Sequence, residues 1–304
     1  MKLLLSFFIR LAAAVALAIP PAAFADEGDK YHQVKVVPYP LSHAVYHEDI
    51  AEVKRLLDSG ANPNTAEKDG WTALMWAALK EHAEVAEVLL SAGANPNTAD
   101  KHGSAALTWA AANGNAEIVE ILLSASANPN AVGSHGWTAL IWAASKGHAE
   151  IAKVLLSAGA NPNAAEYDGT TALIFAARDG HAELAEVLLS AGANPNAAEY
   201  DGFTALMWAA RDGHAELAKI LLSAGANPNA ARDDGSTALM TAADRGHAEV
   251  INVLLAEGAN PNAANKGGRT ALSRANARWS EAKTQEEAKV YREIVRMLKE
   301  AGAE

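Results

Sequence analysis

The five residues GANPN return along this chain at 60–64, 93–97, 159–163, 192–196, 225–229 and 258–262, and SANPN fills the gap at 126–130. Every step is 33 residues. A second signature, TAL, keeps the same register at 72, 138, 171, 204, 237 and 270, with AAL at 105. A period of this length means one small supersecondary unit copied in tandem. One unit reads DGWTALMWAALKEHAEVAEVLLSAGANPN (69–97). Thr72 is placed to cap a first helix that runs to about Lys80, because its hydroxyl can accept from a free backbone N–H of the first turn. His82 opens a second helix, with Glu84 near its positive end. Val85, Val88 and Leu89 share one face and form its buried side. Gly93 stops it in the left-handed conformation that only glycine adopts easily, and NPN turns the chain. A helix pair of this size cannot bury its own apolar face. Stacking on neighbours can, and the product is a solenoid.

The unit resembles the ankyrin repeat, which has this period. Gly169, Thr171, Leu173, Ala176, Ala177, Gly180, His181, Leu188, Leu189, Gly192, Ala193 and Asn196 fall on that family's pattern, and the likeness covers about residues 36–304. Two departures are systematic. The proline of the family's T-P-L-H is Ala73, Ala139, Ala172 and Ala205. The histidine is Met75, Thr108, Ile141, Ile174, Met207 or Met240, so apolar packing replaces a polar link between units. The resemblance implies an all-α solenoid of about eight helix-turn-helix units that binds another protein with its concave side. That side is lined by first helices and turn tips. The domain is bounded at 37–304: an N-terminal cap at 37–64, six full repeats at 65–262, and an extended cap at 263–304. The last unit is 11 residues longer between its threonine and its glycine (Thr270 to Gly302) than the first full one (Thr72 to Gly93). The addition lies in a Glu-, Lys- and Ala-rich stretch without breakers and is expected to be helical, extending the outer helix or the turn before it.

The N-terminus reads differently. Lys2 and Arg10 precede an apolar run, LAAAVALAI (11–19), and AFA (23–25) offers small residues for cleavage, the layout of a secretory signal peptide. Residues 1–25 are therefore expected to be removed, 26–36 to be a short linker, and the mature protein to be periplasmic or secreted without membrane insertion. It would carry 23 basic and 36 acidic side chains, a formal charge of −13. Such a chain repels phosphate backbones, so nucleic acid is not an expected partner. There is no cysteine.

The aromatic residues carry the functional expectation. Leu74, Ala77 and Ala78 form an i, i+3, i+4 stripe, and Trp76 lies off it. The aromatics at this position and at the turn tips are Trp71, Trp76, Trp109, Trp137, Trp142, Tyr167, Phe175, Tyr200, Phe203 and Trp208. Their phase predicts a continuous strip facing a partner, with Arg178 and Arg211 as polar contacts at its rim. On this reading Trp142→Ala weakens binding and costs less stability than Leu140→Ala. The alternatives are rings that only strengthen stacking between units, or a carbohydrate or cell-wall glycan binder using the same strip. The histidines at 82, 148, 181, 214 and 247 repeat with the unit and read as structural. His43 and His47 have no third ligand on their face, so no metal is expected. Every polar residue that stands out recurs with the period, whereas catalysis needs a unique site. No enzyme activity and no cofactor are expected, and the protein is expected to be a monomer.

Overall fold

A computed structural model describes residues 39–304. These contain eight antiparallel helix pairs stacked side by side. They are α1 (Pro40–Tyr46) with α2 (Ile50–Asp58), α3 (Ala73–Lys80) with α4 (Ala83–Ser91), and α5 (Ala106–Asn113) with α6 (Ala116–Ser124). Next come α7 (Ala139–Ser145) with α8 (Ala149–Ser157), α9 (Ala172–Asp179) with α10 (Ala182–Ser190), and α11 (Ala205–Asp212) with α12 (Ala215–Ser223). The last are α13 (Ala238–Arg245) with α14 (Ala248–Ala256), and α15 (Ala271–Glu281) with α16 (Gln285–Glu300). Odd-numbered helices form the inner row and even-numbered ones the outer row. No helix among the described residues is long and apolar enough to cross a membrane.

Local sequence explains each boundary. Thr72, Thr138, Thr171, Thr204 and Thr237 each accept from the backbone N–H three residues on, which fixes the start of an inner helix. Residues 73–78 of α3 are buried on every side, because an inner helix is enclosed by its neighbours in the row, its own outer helix and the loops between units. Alanines such as Ala77, Ala78, Ala110 and Ala111 let successive inner helices approach closely. Contact between inner helices is more extensive than between outer ones.

The repeated histidines join consecutive units. The ring of His214 lies against Gly180, and His247 against Gly213. His247 Nε2 is 3.0 Å from the Arg211 carbonyl, which can only accept, so this nitrogen carries the proton. His148 bonds the equivalent carbonyl, Ala112, and burial holds its pKa below the usual imidazole value. In the last unit Tyr291 takes the histidine's place. It lies over Gly246, and its hydroxyl donates to the Asp244 carbonyl at 3.2 Å. Asp244 stands 33 residues after Arg211, so the cap uses the same acceptor with a different donor.

The second asparagine of each NPN does more than turn the chain. Asn163 Nδ2 donates to the Gly192 carbonyl at 3.0 Å, and its Oδ1 accepts from Asn194 N–H at 2.7 Å. Asn64, Asn97, Asn130, Asn196 and Asn229 repeat this two-bond link. Asn262 closes the ladder on the Gly302 carbonyl and Glu304 N–H. Each rung joins only adjacent units. Asn163→Ala removes two exposed hydrogen bonds and is expected to cost about 1–2 kcal/mol. A urea melt checks this, and a loss below about 0.5 kcal/mol would mean that water replaces the rung.

The extra length of the last unit is helical and is shared between both helices. α15 has 11 residues where α3 has 8, and α16 has 16 where α4 has 9. The outer helix lengthens as expected, and the inner helix lengthens too, which neither an extended outer helix nor a longer turn before it included. Arg278 of this extension pairs with Asp244 at 3.0 Å and holds it on α13.

Candidate functional site: the inner-helix and hairpin edge

Between units the chain makes a short hairpin whose arms meet at Ala66 and Thr72, Ala165 and Thr171, Ala198 and Thr204, and Ala231 and Thr237. A tight turn closes each, with a glycine at positive φ, such as Gly169 at +90°. Backbone bonds tie neighbouring tips together: Tyr167 N–H to His135 O at 2.9 Å, Tyr200 to Asp168 at 2.8 Å, Asp233 to Asp201 at 3.0 Å. The tips thus form one rigid edge beside the inner helices.

The rings do not form an exposed strip. Trp71, Trp76, Trp109, Trp142, Phe175 and Phe203 are buried; Trp76 is 5% exposed and Phe175 0%. Trp76 does lie off the Leu74/Ala77/Ala78 stripe, but that side of the helix is covered by the hairpins. Trp71, carried by a hairpin, inserts between Trp76 (4.7 Å between ring centroids) and Trp109 (4.8 Å). Trp137 stacks on Trp142 at 4.2 Å and on Phe175 at 5.2 Å, and Phe203 on Trp208 at 4.7 Å. The aromatic phase marks the part of the single core that lies between hairpins and inner helices, and the stability order expected for Trp142 and Leu140 is revised accordingly.

What stays accessible is narrower. Trp137 and Trp208 are half-buried. Arg178 lies over the Phe175 ring (4.6 Å) and Arg211 over Trp208 (4.6 Å), so both guanidiniums cover aromatic faces and keep only a partial reach to solvent. Tyr167 and Tyr200 stand out at the tips, 67% and 78% exposed.

Sequence reasoning passed over the carboxylates behind the rings. Glu67 accepts from the Trp76 indole N–H at 2.7 Å, and Glu199 from Trp208 at 2.8 Å. The recurrence of an acidic residue nine before the tryptophan was the available signal. In the unit of Glu166 the tryptophan position is Phe175, which has no indole N–H to give, and Glu166 accepts from Trp137 instead. Burial, reinforced by the nearby Asp168 and Glu199 charges, pushes its pKa up to about 7. Burial also raises Glu199, against the Trp208 hydrogen bond.

The Glu166 shift has a sign that can be tested. The unfolded carboxyl releases its proton near 4.5 and the folded one near 7. Between these values the folded state holds more protons, so this group's contribution to stability falls as pH rises. Glu166→Gln cannot ionise and is expected to stabilise the fold near pH 8, by about 1 kcal/mol after allowing for solvent screening, and much less near pH 5. Denaturant melts at the two pH values decide it. An equal effect at both would show that the carboxyl is ionised throughout.

Fold and edge together define a helical repeat scaffold whose hairpins lie side by side next to a row of inner helices. Family models described as ankyrin repeats in three copies match residues 24–100, 93–166 and 160–232, and one described as ankyrin repeats in many copies matches 221–275. The chain belongs to the ankyrin-repeat family. No curated protein matches it. Ankyrin repeats are generally protein-protein interaction modules and typically non-enzymatic binding scaffolds.

Proposed function

We propose that this protein binds a partner protein with the edge formed by its inner helices and hairpin tips. The observation that carries the reading is the contrast among the aromatics. Six of the ten aromatics of the expected strip are sealed inside the stack, yet Tyr167 and Tyr200 are held open on consecutive tips of a backbone-bonded edge. Large rings on a rigid support give contact area at little entropic cost. The partly accessible Trp137, Trp208, Arg178 and Arg211 extend the surface inward. The glycan alternative needs open ring faces in series, and among the described residues of this edge's hairpin tips Tyr167 and Tyr200 are the two exposed tyrosine, tryptophan or phenylalanine rings.

A photo-reactive residue tests the assignment. Placed at Trp208, it is expected to yield a protein adduct in an extract of the source cells. At Glu186, on the outer row, it should yield none. Adducts from Glu186 alone would overturn the edge.

We also propose that the protein is exported and that its mature chain begins at Asp26. Residues 1–25 lie outside the described residues, so the support is the sequence pattern alone. Intact mass of protein from the periplasm or medium should match residues 26–304. A full-length mass there would sink the proposal.

A further inference from the structure

The tip residues change character along the edge. The two residues before each tip glycine are Lys68–Asp69, Lys101–His102, Ser134–His135, Tyr167–Asp168, Tyr200–Asp201, Asp233–Asp234 and Lys266–Gly267. Cations therefore stand at both ends, and aromatics and carboxylates stand in the middle. Asp69 is paired with Lys101 at 2.7 Å, which spends the charge of the N-terminal tips internally. Toward the middle the compensation thins. Asp201 meets Arg232, while Asp168 and Asp233 are exposed and form no ion pair among the described residues. Behind these tips lie Glu166 and Glu199, whose raised affinity for protons reflects burial and also the carboxylates in front of them.

We propose that Tyr167, Asp168, Tyr200, Asp201, Asp233 and Asp234 form the docking patch for an extended, lysine- or arginine-bearing segment of the partner protein. The inference rests on the protein-binding reading above and names the chemistry of its partner. A tyrosine face attracts a cation within about 6 Å of its centre, and each ring here has a carboxylate as its chain neighbour. A cationic side chain laid on Tyr167 therefore finds a π face and the carboxylate of Asp168 from one tip, and one laid on Tyr200 finds a π face beside the Asp201 carboxylate, which it shares with Arg232. Successive tips are separated by roughly the spacing of packed helices, about 10 Å. Three tips span about 20–30 Å, the length of about six to nine residues of extended chain. Lys266, which ends the row on the C-terminal side, repels a longer cationic run there and so sets the register.

The experiment uses the full mature chain and a fluorescein-labelled nine-residue peptide alternating arginine and serine, with a glutamate-serine peptide as its counterpart. Binding is followed by anisotropy near physiological ionic strength, where bulk attraction is screened within about 8 Å. The arginine peptide should bind and the glutamate peptide should not. Tyr167→Ala with Tyr200→Ala should weaken binding about tenfold or more. Asp168→Asn, Asp201→Asn and Asp233→Asn together keep side-chain oxygens for the turns and should weaken it similarly. The matched control, Glu87→Gln, Glu117→Gln and Glu120→Gln on the outer row, removes the same charge and should change it less than about threefold. Equal losses in the two triple variants would reduce the binding to net charge and overturn the patch. So would an arginine peptide that does not bind, or a tyrosine pair without effect. Circular dichroism confirms that each variant is folded. If the Trp208 cross-linker captures a protein while the patch variants leave peptide binding untouched, the edge stands as a binding face and the cationic segment is wrong. If neither experiment finds a ligand, both readings fall.

Discussion

Trp142→Ala is expected to cost about 3–5 kcal/mol, no less than the roughly 2–5 kcal/mol of Leu140→Ala. Both side chains belong to one inner helix, and both are buried. A tryptophan removes about 200 Å² or more from water. At about 25 cal/mol per Å² that is worth about 5 kcal/mol, an upper figure because the unfolded chain already hides some of it. Little can move into the space. Trp137 is pinned between Trp142 and Phe175, and the helices on either side are held by the histidine contacts and the asparagine ladder. Denaturant melts of the two variants give the comparison. A Trp142→Ala protein that melts within about 1 kcal/mol of the parent would show that the ring faces solvent and would restore the open strip.

Gly169→Ala is expected to cost about 2–5 kcal/mol, and Gly192→Ala only about 1–2. The two glycines have nearly the same backbone, φ +90° and +88°, so both substitutions incur the left-handed penalty. They differ in what a methyl group would meet. At Gly169 it would lie 2.7 Å from the Ala198 carbonyl oxygen and 3.2 Å from Glu199 Cα, backbone atoms of the next hairpin that cannot swing aside. At Gly192 nothing lies within 4 Å. The difference between the variants therefore measures how closely hairpins seat on one another. Equal costs would mean that the hairpins stand apart, and the rigid edge on which the tip tyrosines depend would be lost.

The parts of this molecule written within one unit could be read from the sequence. Thr72, Gly93 and the TAL register mark helix starts and stops because their hydrogen bonds are local. What spans two units was harder. The asparagine ladder was legible only as a turn, since its partners are backbone groups 29 and 31 residues away. The aromatic phase was read correctly as distinct from the leucine stripe, but an amphipathic argument assumes that a helix has one buried face. Here the inner helix has neighbours on all sides, and hairpins of its own and the preceding unit cover the face that looked free. Tyr167 and Tyr200 escaped that cover because they sit at the turn itself. The replacement of histidine by Tyr291 had no signal in the periodicity, because the longer cap helices shift it out of register.

The ladder and the histidine contacts have a consequence for how such a chain can change over generations. Each unit receives its predecessor's asparagine on the same carbonyl and amide and offers one further carbonyl to its successor, and the terminal cap keeps both links through Asn262 and Tyr291. Array length is then a free variable. A block of 33 residues can be copied in or cut out by recombination without a new junction being invented, because the incoming block meets an interface it already fits. Residues 164–196 and 197–229 differ at only five positions, as a recent copy would. Both ends stay as they are while the array between them grows in steps of about 10 Å, so reach is inherited separately from the terminating pieces.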